Sequence, residues 1–184
     1  MRHWEGRRRP QDGFTLVELM VVVLIMAILL AIAIPTYLGA RHRAENRAAQ
    51  TNLRTADSAL ITYFSNNQGS FSGVDAQSMS TVEPGLSWTD RLANVGQVAT
   101  GSNNNGLGDN AAIAVSLSAA GKCFWIMQVE TPTSRMIKSS LFNSETVTSP
   151  GTWYAQASPG GPNGSCELGL NSPPSWSQST SVGW

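Results

Sequence analysis

Charge is scarce in this sequence. Asp, Glu, Lys and Arg make up 13% of its 184 residues, about half the share usual in soluble domains. A surface with so few charges must be built from Ser, Thr, Asn, Gln and Gly, which suits an extracellular module better than a cytoplasmic one. Formal net charge is zero. A near-neutral body argues against a general nucleic-acid grip, which needs a clustered basic face, and no direct nucleic-acid binding is predicted. Histidine is rarer still: beyond the first few residues only His42 occurs. No Ser/His/Asp or Cys/His set is available and no carboxylate pair stands out, so no catalytic residue, cofactor or metal site is predicted, and the chain is not expected to be an enzyme. Glycine is present, but Gly101 to Asn110 (GSNNNGLGDN) lacks the GxxxxGK[ST] or GxGxxG spacing of a phosphate cradle and reads as a flexible surface loop.

Cysteine is limited to Cys123 and Cys166, both in the distal half. Without CxxC spacing or a neighbouring His cluster they make a poor metal site. Export of the distal half would favour a disulfide; the alternative is two buried thiols. A bridge closing a loop of that length would restrict the unfolded chain by roughly 4 kcal/mol in the entropic model.

One long apolar run is present. Phe14 to Ile34 reads FTLVELMVVVLIMAILLAIAI, broken only by Thr15 and Glu18, and its length is close to what a helix needs to cross the hydrocarbon core. Before it stand Arg2, Arg7, Arg8 and Arg9 against Glu5 and Asp12, a net +2 that the rest of the chain balances. An ordinary signal peptide would have a shorter apolar region and a small-x-small cleavage site, whereas this run ends at Pro35-Thr36-Tyr37. A plain membrane anchor leaves Glu18 unexplained, because a carboxylate at membrane depth is costly unless neutralised or paired.

A third reading accounts for all of these features. A short basic leader, then Gly13-Phe14-Thr15-Leu16-Val17-Glu18, then an apolar stretch ending at Pro35 resembles the processing site of type IV prepilins and type II secretion pseudopilins. The resemblance extends to about Phe64. It implies cleavage between Gly13 and Phe14 by a prepilin peptidase, N-methylation of Phe14, and assembly into a homo-oligomeric helical filament by machinery in the cytoplasmic membrane. It also implies that Glu18 of one subunit pairs with the Phe14 amine freed on its neighbour, and that the helix bends at Pro35. Alanine stands at position 27, where many family members carry glycine, so unwinding of the helix between Ala27 and Pro35 is less favoured here. Basic residues alone leave the membrane orientation undecided, since Arg41, Arg43 and Arg47 follow the span as Arg7, Arg8 and Arg9 precede it. The resemblance and the position of the cysteines place the distal part outside: a single-pass membrane protein first, a cell-surface filament afterwards.

Past Pro35, Leu53, Ala56, Leu60 and Phe64 recur at three- and four-residue intervals and share one helix face, with Arg47, Asn52, Arg54 and Ser58 opposite. Asn66, Asn67 and Gly69 supply the stop. If continuous from Thr15, the helix would be roughly 75 Å long. Residues 70 to 90 are Ser-rich and read as irregular. Strands are predicted at Ala111 to Leu117, Cys123 to Glu130, Met136 to Leu141 and Trp153 to Gln156, with Gly121-Lys122 turning the first hairpin. The expected class is α+β, a long helix packed on a small antiparallel sheet. The chain therefore divides into a leader (1–13), an apolar transmembrane and assembly helix (14–35), an amphipathic helix (36–68), a globular head (69–170) and a Ser/Pro-rich tail (171–184). A pilus subunit and a pseudopilin of a type II secretion system are the two functions left; the Cys-bounded distal region favours the pilus subunit.

Overall fold

The computed structural model describes residues 13–102, 110–130, 149–168 and Trp176. The chain separates into two compact units, Met1–Arg41 and His42–Trp184. Helix α1 spans Leu16–Asn66. In the first unit its side chains are exposed all round. Twenty large apolar residues are exposed in the described chain, and all but two of them, Ile61 and Val95, lie between Phe14 and Leu38. Pro35 lies inside α1 and does not end it. A proline there removes the amide that would bond the Ala31 carbonyl. One residue on, the Thr36 hydroxyl donates to the Ala33 carbonyl at 2.9 Å and to that of Ile32 at 3.4 Å.

In the second unit α1 becomes one-sided. Ala49, Leu53, Ala56, Ala59 and Leu60 are buried, and Phe64 packs at their edge with its ring 4.8 Å from that of Phe71. The predicted polar flank is in place: Arg47, Arg54 and Ser58 are exposed and Asn52 half-buried. The helix stops because Gln68 takes a left-handed φ of 55° and the Gly69 amide reaches back to the Phe64 carbonyl at 3.0 Å, satisfying a carbonyl the last turn would orphan.

The sheet holds β1 (Ser87–Thr89), β3 (Gln97–Ser102), β4 (Ala111–Leu117), β5 (Cys123–Val129) and β6 (Gly151–Ala157) in the order β1-β3-β4-β5-β6. All its pairs are antiparallel except β1 with β3, so it is mixed rather than purely antiparallel. The reason is an excursion between those two strands: the chain leaves the sheet, forms β2 (Leu92–Ala93) against β7 (Cys166–Glu167) in a separate two-stranded ribbon, and returns. The β4–β5 hairpin turns as predicted. Leu117 faces Cys123, the Gly121 amide donates to the Ser118 carbonyl at 2.9 Å, and Gly121 has a φ of 74° that a side chain would oppose.

Strands β4 and β5 are buried at every position, and their alternation divides the core. Ala112, Ala114, Phe124 and Ile126 face α1; Ile113, Val115, Trp125 and Met127 face the opposite cluster with Ala93, Leu168, Cys123 and Cys166. Alanines stand on both sides of the helix–sheet seam, Ala49, Ala56 and Ala59 on α1 and Ala112 and Ala114 on β4. Trp176, in the segment expected to be a loosely held tail, packs against the far cluster together with Trp153.

Three stretches differ from the sequence expectation. Residues 70–90 are not irregular: Asp75 caps a short helix α2 (Ala76–Val82) through a reciprocal box with Ser78, and β1 follows. Gly101 and Ser102 end β3 instead of opening a loop. The fifth strand of the sheet, β6 (Gly151–Ala157), is longer at both ends than the predicted Trp153 to Gln156. The predicted strand at Met136 to Leu141 and the rest of the Gly101 to Asn110 loop lie largely outside the described residues.

Candidate processing and assembly segment

The segment begins with open backbone. A Cβ on Gly13 would meet nothing within 4 Å, and the Phe14 side chain is 86% exposed. Helix α1 starts immediately after, and its start is chemically defined. The Thr15 carbonyl accepts the Leu19 amide at 3.3 Å, the position of an N-cap. The Thr15 hydroxyl accepts the Glu18 amide at 3.2 Å. The Glu18 carboxylate returns the contact, accepting from the Thr15 amide at 3.0 Å and the Thr15 hydroxyl at 2.9 Å. Thr15 and Glu18 thus form a T-x-x-E capping box that satisfies two backbone donors at the helix start and holds a negative charge at its positive end.

Of the predicted site residues, the structure joins Glu18 to Thr15 and leaves Phe14 outside that contact. Thr15 was missed as a functional residue in the sequence, although its spacing from Glu18 is a capping signal that could have found it. Farther on, α1 is long and apolar enough to cross a membrane. Cys123 and Cys166 form a disulfide with Cα atoms 5.6 Å apart, within the usual range. Both are fully buried, and the bond ties the start of β5 to β7. Among the described residues no group of three His, Cys, Asp or Glu side chains is placed to hold a metal.

Residues 8–34 match the family model described as the prokaryotic N-terminal methylation motif. The chain carries a prepilin-type N-terminal methylation segment. This prepilin-type segment is 47% identical over 61 residues to a type IV major pilin protein, PilA, of Myxococcus xanthus, a stretch covering 33% of this chain and 28% of that protein. It is 39% identical over 57 residues to the type II secretion system core protein G of Klebsiella michiganensis, covering 31% of this chain and 40% of the relative. The core protein G of Vibrio cholerae is 40% identical over 57 residues, with 31% and 39% covered. The chain thus spans well under half the length of the curated relatives it matches. No solved structure matches it.

Proposed function

We propose that this chain is the structural subunit of a type IV pilus filament. A prepilin peptidase cuts it between Gly13 and Phe14 and the new terminus is methylated. The subunit waits in the cytoplasmic membrane as a single-pass protein, and the assembly machinery then stacks it through α1 into a surface filament. The observation that carries this reading is the bare apolar half of α1. Eighteen large apolar side chains between Phe14 and Leu38 stand exposed, far more than water tolerates on one chain. A bilayer covers them before assembly, and neighbouring copies of the same helix cover them afterwards. Within that environment Glu18 exchanges its Thr15 contacts for the Phe14 ammonium of the adjacent subunit, and Pro35 is the bend point of the helix.

The matches to core protein G favour a second reading, a pseudopilin of a type II secretion system, which uses the same segment. Two measurements test the proposal. Mass spectrometry of the mature protein is expected to find an N-terminal Phe14 carrying one methyl group; any other terminus removes the basis of both readings. Imaging with an antibody to the head is expected to label extracellular filaments. Correct processing without surface filaments would select the pseudopilin.

A further inference from the structure

Four of the second unit's five described Lys and Arg residues line one cleft. A cleft of about 600 Å³ lies between α1 and the turn end of the β4–β5 hairpin. Arg43, Arg47 and Arg54 line it from α1 and Lys122 from the hairpin turn, and no carboxylate is among its lining residues. All four side chains are exposed, and among the described residues none forms an ion pair. This is unusual in a chain with twelve basic and twelve acidic residues. Arg43 and Arg47, one turn apart, repel each other. Neutral donors complete the lining. Asn46 accepts a hydrogen bond from Ser118 at 2.7 Å through its amide oxygen, which leaves its NH2 to donate. Gln156 adds a second, exposed amide.

Guanidinium forks with interspersed amides recognise phosphate oxygens. The volume exceeds that of a single phosphate, and Arg43 and Arg54 are eleven residues apart, roughly 16 Å along the axis. We propose that this cleft is a binding site for a soluble, linear oligophosphate whose phosphates lie along α1. A membrane surface fits the arrangement less well. A headgroup layer is only about 5–7 Å deep, shallower than the roughly 16 Å over which the arginines are spread along α1. The proposal is independent of whether the filament is a pilus or a pseudopilus.

The test uses the full mature chain in non-ionic detergent, titrated calorimetrically with sodium tripolyphosphate at low and at moderate salt. One saturable site per chain is expected, weakening as salt rises. The double substitution Arg47→Gln with Arg54→Gln is expected to weaken binding about tenfold or more while leaving the melting temperature of the head unchanged. Arg91→Gln, which removes an exposed arginine outside the cleft, is expected to leave binding as it was. Absence of saturable binding overturns the proposal, as does an equal loss in Arg91→Gln. A parallel titration into nanodiscs with and without phosphatidylglycerol distinguishes the sources: binding that depends on the cleft but is seen only with the anionic lipid overturns the soluble ligand.

Discussion

Asp57 is the residue at which α1 and the sheet exchange charge for hydrogen bonding. It is half-buried on α1, and Gln128 of β5 donates to its carboxylate at 2.6 Å and to the Thr152 hydroxyl of β6 at 2.8 Å. Burial pushes the Asp57 carboxyl above its ordinary value, and the Gln128 bond only partly opposes that. A raised carboxyl pKa means the fold prefers the protonated form. Its contribution is fully present below the unfolded value of about 3.9 and is lost as pH rises through the higher folded value. Asp57→Asn keeps an acceptor for Gln128 and removes the charge. At neutral pH the variant is expected to match or exceed the parent's stability, by about 1 kcal/mol or less. The difference should shrink toward zero as pH falls to about 4. Thermal denaturation of both proteins across that range checks this; a variant less stable at neutral pH would show that the carboxylate is a net stabiliser. By contrast, Asp75 is held below the usual carboxylate range by the backbone and hydroxyl of Ser78, so its contribution is present above the unfolded value and fades on acidification.

At the scale of elements, the disulfide is the only covalent cross-link, beside the backbone itself, between the five-stranded sheet and the β2–β7 ribbon among the described residues. Around it the Trp125 indole donates to the Glu167 carbonyl at 3.1 Å and the Leu168 amide to the Arg91 carbonyl at 3.1 Å. Replacing both cysteines by serine is expected to cost about 4 kcal/mol of stability, from the freed unfolded chain; the melting temperature of the oxidised parent against the double variant measures it. A loss confined to the ribbon, seen as deprotection of β2 and β7 amides with β4 and β5 unchanged, would show local rather than global anchoring. These elements were unequally legible in the sequence. Strands β4 and β5 were readable because they are continuous apolar runs bounded by turn residues, and α1 because its apolar positions repeat. Strand β3 (QVATGS) was not, since its buried Thr100 and Ser102 look like loop residues until neighbouring strands cover them. Helix α2 buries only Met79, too little for a periodic signal, and its Asp75 and Ser78 cap was the one local clue. The parallel β1–β3 pair depends on an excursion to β7, some seventy residues away, which no local pattern records.

For the whole molecule, the N-terminal segment was legible because its pattern is linear: Gly13, Phe14, Thr15 and Glu18 lie within six consecutive residues, although the Thr15–Glu18 capping box was not foreseen. In the proposed filament the Glu18 charge needs a partner once α1 is covered. The capping box holds it in the isolated subunit, yet in the proposed membrane-bound and filament states the apolar run around it meets lipid or neighbouring helices, where an unpaired carboxylate is costly. If pairing with a neighbour's Phe14 amine drives assembly, Glu18→Val should still be cut after Gly13 and inserted in the membrane. Its filament yield should fall by at least on the order of tenfold, since the partner amine is then buried alone. Loss of the cap is a competing cause, and Thr15→Ala separates the two. That variant removes the hydroxyl half of the box but leaves the Glu18 carboxylate, so charge pairing predicts near-parental yield. Quantifying sheared filaments alongside the processed N-terminal mass for both variants decides between them. A Thr15→Ala defect as deep as that of Glu18→Val would mean that Glu18 acts by starting the helix, and that subunit register is set elsewhere along α1.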